Sequence, residues 1–98
     1  MATKALLVKL VARPGKEDAV EEFLRSALPL VQEEPGTYPW FAVRFDASTF
    51  GIIDAFPDDS AREAHLGGAV GKALGERSDE LFASPPEISP LDVIVEKL

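Results

Sequence analysis

The first apolar run of the chain constrains the fold most, because both of its faces are apolar. It covers residues 5–12, ALLVKLVA, and ends at an Arg-Pro-Gly turn. A run this short is typical of a strand, and alternation puts Leu6 and Val8 on one face and Leu7 and Val11 on the other. A strand with two apolar faces is expected in a sheet that is covered on both sides.

The next segment, residues 16–34, has the periodicity of an amphipathic helix. Its apolar residues recur at i, i+3, i+4 and i+7. They are Val20, Phe23, Leu24, Ala27, Leu28 and Val31. Pro29 lies inside the pattern and lacks a backbone donor, which predicts a kink or a break near residues 26–29. Pro35 and Gly36 then end the helix.

The remaining elements follow from turn signals and alternation. Residues 38–46 and 49–56 predict two strands of a hairpin, joined by a short polar turn. Asp58 is placed to cap a second helical region, which Gly67 and Gly68 interrupt before a further helix over about 70–83. Residues 91–98, LDVIVEKL, predict the last strand.

The resulting order, β-α-β-β-α-β, predicts one domain over residues 1–98 with an α+β, ferredoxin-like fold. Such a fold has a four-stranded antiparallel sheet with its helices on one face. Strands 5–12, 38–46 and 49–56 are apolar on both faces, so the face without helices is expected to be an association surface. A homodimer that stacks two sheets face to face would bury it.

Charge and composition exclude several classes of protein. The net charge is −7 at pH 7, so a phosphate backbone or an anionic membrane would be repelled. There is no cysteine, which excludes disulfides, thiolate nucleophiles and cysteine-ligated metals. No run approaches the length of about 18 apolar residues that a membrane span needs. We expect a cytoplasmic protein.

His65 is the only histidine, and it lies on the inward face of the predicted second helix. Its ordinary pKa suits general acid–base catalysis near neutral pH. It could instead donate a hydrogen bond to a ligand in a pocket. The remaining alternative is a buried neutral histidine that a backbone carbonyl or a carboxylate holds in place.

Four strand residues are further candidates for a substrate site. Arg44 and Asp54 are charges on otherwise apolar strands, and buried charges need partners. They could pair across the hairpin, or Arg44 could hold a phenolate or superoxide. Trp40 and Phe56 could stack on a flat aromatic substrate, although Trp40 could equally fill the core or the dimer interface.

Three segments in order carry a family resemblance: VKLVARPGKEDAVEEFL, then EEPGT, and after the hairpin DAFPDDSAREAHLGGAVGKAL. Together they resemble the antibiotic biosynthesis monooxygenase domain family. The resemblance implies a dimeric α/β barrel that oxidises a small aromatic, quinol or polyketide-like molecule with O₂ and uses no metal, flavin or other cofactor. It also implies that His65 lines the pocket between the helices and the sheet.

Two other functions remain open on the same scaffold. One is a non-catalytic dimeric protein that binds a small hydrophobic or aromatic ligand. The other is an isomerase or lyase, because a base beside an enolisable substrate needs no oxygen.

Overall fold

The computed structural model describes all 98 residues and contains four strands and three helices in the predicted order. They are β1 (Lys4–Val11), α1 (Glu17–Gln32), β2 (Trp40–Arg44), β3 (Thr49–Phe56), α2 (Asp59–Leu66), α3 (Ala69–Leu81) and β4 (Glu87–Asp92). The interruption at Gly67 and Gly68 separates α2 from α3, as predicted. None of the three helices is long and apolar enough to cross a membrane.

The strands form one antiparallel sheet in the order β2-β3-β1-β4. This confirms the ferredoxin-like α+β fold predicted from the sequence. The register aligns Leu6 of β1 with Asp54 of β3, and Asp54 with Trp40 of β2. These three residues therefore project from the same face of the sheet, towards the helices.

The core lies between that face and the helices. Leu6, Leu10 and Phe56 of the sheet are at most 1% exposed, and Val20 of α1 and Leu81 of α3 are fully buried. Each such side chain contributes roughly 1.5–3 kcal/mol by leaving water. Of the predicted α1 stripe, only Leu28 is exposed.

Pro29 does not break α1, which continues from Glu17 to Gln32. Proline removes one backbone hydrogen bond, and here its ring lies on the exposed side of the helix. Ala27 and Val31, on either side of it, are buried in a small cluster with Val70 of α3. That packing holds the helix together across the proline, so the predicted break is absent.

The predicted last strand, residues 91–98, is wrong in its position. β4 covers Glu87–Asp92 instead, and residues 93–98 are in no strand. Pro90 pairs with Leu6 inside β4, which is possible because β4 is an edge strand and one of its sides needs no backbone donor. Ile94 and Val95 of the predicted strand are exposed.

The second face of the sheet has no helix on it and is apolar, as predicted. Phe41 of β2, Ile53 of β3 and Leu91 of β4 are exposed there, together with Phe45 just after β2. We call this surface the open face.

Candidate functional site

His65 lies in the last turn of α2 and points into the protein. The Asp58 side chain accepts a hydrogen bond from the Ala61 backbone and begins the helix, as predicted. His65 is one residue from the helix end, where the dipole favours a cation. Its side chain is 8% exposed, against a tilted Phe56 ring whose centroid is 5.3 Å from its own.

Glu34 reaches one ring nitrogen of His65. It follows the end of α1, where its backbone N–H donates to the Val31 carbonyl. Its Oε1 accepts a hydrogen bond from the Thr37 hydroxyl at 2.8 Å and lies 2.5 Å from His65 Nδ1. The turn that carries Glu34 therefore positions a carboxylate against the histidine.

Asp54 approaches the other ring nitrogen from β3. Its Oδ2 is 3.0 Å from His65 Nε2, which is ion-pair distance, although the angle is outside hydrogen-bond geometry. The Asp54 side chain is fully buried, and neither of its carboxylate oxygens has a hydrogen bond. A buried carboxylate in this state depends on a nearby positive charge.

Two carboxylates, one at each nitrogen, favour the protonated ring. Burial acts to lower the pKa of His65, but the contacts with Asp54 and Glu34 together outweigh burial. The pKa therefore lies above the ordinary value of 6.5. For a structural histidine, the sequence left either a backbone carbonyl or a carboxylate as the partner. In the structure, His65 has two carboxylate partners. We call Glu34, His65 and Asp54 the acid–base cluster.

A cavity of about 440 Å³ opens beside this cluster. Its wall includes His65, Glu34 and Thr37, and the start of α2 closes its other side. Gly36 brings the Glu34 turn close to α2, since a Cβ at residue 36 would lie only 2.9 Å from the Ala61 Cβ. Three carboxylate residues, Glu33, Glu34 and Asp58, lie on its wall, and we call it the His65 pocket.

Trp40 faces a second cavity. It pairs with Asp54 in the sheet, and its indole Nε1 is buried without a hydrogen-bond partner. It also lines an apolar groove of about 590 Å³ between α1 and β2, together with Leu24, Leu28 and Phe50. We call this cavity the α1–β2 groove. A Trp40 role in binding a flat molecule stays a prediction.

Arg44 lies away from the acid–base cluster. It is opposite Phe50 in the register, whereas Asp54 is opposite Trp40, so the predicted Arg44–Asp54 pair is wrong. Instead, the exposed Arg44 guanidinium pairs with Glu21 on α1, over the Phe50 ring. Both Arg44 and Glu21 are on the wall of the α1–β2 groove.

Comparisons with solved structures identify the family. No protein-family model matches the sequence, and no curated protein matches it either. NE2512 from Nitrosomonas europaea, a protein of unknown function, is 47% identical, with a TM-score of 0.98 over 100% of this chain and 95% of that chain. The chain belongs to the same family as NE2512.

Two more distant structures relate this family to a named fold. A Caulobacter crescentus protein provisionally named as an antibiotic biosynthesis monooxygenase is 21% identical, with a TM-score of 0.81 over 96% of this chain and 92% of that chain. An antibiotic biosynthesis monooxygenase is 16% identical, with a TM-score of 0.79 over 94% of this chain and 99% of that chain. The fold of the NE2512 family is therefore the antibiotic biosynthesis monooxygenase fold, and the resemblance inferred from the sequence is confirmed.

The structure brings together three of the five predicted site residues: His65, Asp54 and Phe56. Glu34 and Thr37 were not predicted to take part. Both residues belong to the EEPGT segment, which carried the family resemblance. That segment did not indicate that Glu34 contacts a residue 31 positions later in the chain. No group of three or more histidine, aspartate and glutamate side chains is arranged to hold a metal ion.

Proposed function

We propose that this protein is a cofactor-independent monooxygenase that oxidises a small aromatic, quinol or polyketide-like substrate with O₂. One observation carries the proposal: the single histidine is buried between two carboxylates on the wall of an open pocket. Such an arrangement is suited to moving a proton to or from a molecule bound in the pocket. The fold shared with antibiotic biosynthesis monooxygenases supports the choice of O₂ as co-substrate.

The reaction begins with proton removal. The acid–base cluster takes a proton from a phenol or from the acidic CH₂ of an anthrone, and the electron pair stays on the substrate. The electron-rich anion passes one electron to O₂, and the two radicals join as a peroxide. The cluster returns its proton to the peroxide, and loss of water, which takes the remaining hydrogen from the same carbon, leaves a new carbonyl; one oxygen atom enters the product and the other leaves as water.

The test is oxygen uptake by metal-stripped protein with a panel of anthrones and quinols. His65→Gln is compared with wild type, and Glu63→Gln on the exposed side of the same helix is the matched control. We expect uptake above autoxidation for wild type and the control only, with one ¹⁸O atom from ¹⁸O₂ in the product. Uptake by all three proteins at the autoxidation rate would refute the oxygenase assignment for these substrates.

A second function, binding without turnover, is favoured by the α1–β2 groove. The groove is apolar and larger than the His65 pocket, and Trp40 lines the groove but not that pocket. Trp40 is the only tryptophan, so its fluorescence reports on a ligand in the groove. Saturable quenching by an aromatic ligand that is recovered unchanged would support a binding protein.

An isomerase or lyase would use the same acid–base cluster without oxygen. Turnover of an enolisable substrate under anaerobic conditions would separate this alternative from the oxygenase.

The functional form is proposed to be a homodimer formed through the open face. Exposed Phe41, Ile53 and Leu91 give that face the apolar character of an association surface. Light scattering of wild type and Ile53→Glu tests this proposal. Wild type is expected to have twice the monomer mass and the variant the monomer mass, while monomeric wild type would refute it.

A further inference from the structure

Both ring nitrogens of His65 already have carboxylate partners. Nδ1 lies 2.5 Å from Glu34 Oε1, and Nε2 lies 3.0 Å from Asp54 Oδ2. A protonated imidazole has two N–H groups and no free lone pair. No ring nitrogen is therefore left to take a proton from a substrate while both carboxylates are in place.

The three members of the acid–base cluster differ in their access to the His65 pocket. The side chains of Asp54, His65 and Glu34 are 0%, 8% and 20% exposed, in that order. Glu34 lines the pocket and Asp54 does not. The cluster thus runs from the core to the pocket and ends at a carboxylate.

Glu34 also has an oxygen to spare. Its Oε1 contacts both the Thr37 hydroxyl and His65, whereas its Oε2 has no hydrogen bond in the protein. That atom lies beside Gly68, since a Cβ at residue 68 would be only 3.3 Å from Oε2. Glu34 lines the His65 pocket, and a carboxylate oxygen without a hydrogen bond can accept a proton from a molecule bound there.

We propose that Glu34 is the catalytic base, and that His65 and Asp54 are positioning residues that act through it. This inference rests on the proposed function. Glu34 Oε2 takes the proton from the substrate O–H or C–H, and the electron pair stays on the substrate as a phenolate or carbanion. His65 keeps both of its protons, and its positive charge stabilises the anion that forms beside it.

The buried Asp54, which forms an ion pair with His65 but no hydrogen bond, explains how His65 is kept in this state. Without a second carboxylate the buried ring would more readily lose its charge, because burial alone disfavours the imidazolium. A neutral ring could then direct a lone pair at Glu34 and lose the contact that orients it. Asp54 has no access to the pocket, so its effect on a substrate passes through His65.

The pocket wall also predicts which substrates are accepted. Glu33, Glu34 and Asp58 all line it, and protonated His65 is the single cation on the wall, so the carboxylates are in excess. An anionic molecule would be repelled, so the substrate class is a neutral molecule with a weakly acidic O–H or C–H group.

The first test compares Glu34→Gln, Glu34→Asp and Asp54→Asn in the full chain, with anthrone as the substrate. Glu34→Gln is expected to lower kcat by about 100-fold or more, and Glu34→Asp to recover part of it. Asp54→Asn should leave KM unchanged. Activity is expected to fall at high pH as His65 loses its charge, and this fall should occur at a lower pH in Asp54→Asn, because His65 loses one charge partner. Wild-type turnover by Glu34→Gln, with His65→Gln inactive, would overturn the inference and leave the proposed function standing.

The second test needs no turnover. The ring signals of the only histidine are followed by NMR while 1-naphthol or 1-naphthoate is added. We expect wild type to bind the neutral naphthol in preference to the anionic naphthoate, and Glu34→Gln to reduce that preference about tenfold. Circular dichroism establishes that the variants are folded.

The two tests separate the inference from the proposed function. If no substrate consumes oxygen but the naphthol preference depends on Glu34, the oxygenase fails and the ligand-facing role of Glu34 stands. A preference that is the same in wild type and Glu34→Gln would overturn that role.

Discussion

Replacing His65 with leucine is predicted to destabilise the protein strongly, because it leaves two carboxylates without their cation. Glu34, at 20% exposure, can turn towards the pocket and recover contact with water. Asp54 is fully buried and has no hydrogen bond, so its charge is left uncompensated. Removing one partner of a buried ion pair costs about 3–5 kcal/mol, and the fixed position of Asp54 puts His65→Leu in this range.

That loss is large for a chain of 98 residues. Domains of this size have a total stability of roughly 5–15 kcal/mol, and each 1 kcal/mol shifts Tm by roughly 4–8 °C. His65→Leu should therefore lower Tm by at least about 10 °C. The double variant His65→Leu/Asp54→Leu should regain about 1 kcal/mol or more, since apolar residues can replace a buried pair with little loss.

Urea unfolding followed by Trp40 fluorescence measures these differences. Glu63→Gln, an exposed change on the same helix, should stay within about 0.5 kcal/mol of wild type. The reasoning fails if His65→Leu costs less than about 1 kcal/mol, or if the double variant is no more stable than the single one. Either result would mean that Asp54 does not depend on His65.

Three further predictions concern stability. Because the pKa of His65 is raised in the folded protein, its stabilising effect is fully present below about pH 6.5 and is lost as pH rises through the folded pKa. The urea midpoint of wild type should therefore fall over that pH range. The urea midpoint of His65→Gln should not show this fall. Gly71→Ala should cost about 1–3 kcal/mol by urea unfolding, because its Cβ would lie 2.2 Å from the Leu66 carbonyl oxygen. Gly75→Ala has no atom within 4 Å of its Cβ and should stabilise α3 by about 0.5–1 kcal/mol. Equal effects of the two changes would contradict the close packing of α2 on α3. Arg44→Ala should cost no more than about 1 kcal/mol in thermal unfolding, since its pair with Glu21 is exposed, and a larger loss would indicate a buried role for Arg44.

Local patterns predicted most of the fold. The α1 stripe follows helical periodicity, and five of its six predicted residues are buried. Asp58, just before α2, caps the helix because its short side chain can reach the Ala61 N–H of the first turn. Such features depend on neighbours within four residues, which the sequence shows directly.

The position of the last strand could not be predicted in the same way. Residues 93–98 have stronger strand propensity than EISPLD, which contains a proline. What selects Glu87–Asp92 is its pairing with β1, and an edge position makes Pro90 acceptable. Tertiary pairing therefore outweighs local propensity at this position.

The site could be predicted only in part, because it depends on the register of the hairpin and on contacts between residues far apart in the chain. The sequence identified Asp54 as a charge on an otherwise apolar strand, but the hairpin register decides that it lies opposite Trp40 and not Arg44. Glu34 meets His65 from a turn that follows α1. Contacts of this kind depend on how α1 and α2 pack on the sheet, and no local pattern encodes them.

The most direct test of the acid–base cluster is the protonation state of His65, measured by ¹⁵N NMR of the imidazole ring. The chain has one histidine, so the two ring nitrogens give unambiguous signals. We predict that both nitrogens carry protons at pH 6.5, and that the titration midpoint lies above that value and falls in Asp54→Asn and in Glu34→Gln. A midpoint below 6.5 in wild type, or one that neither variant changes, would contradict a histidine held as a cation between two carboxylates.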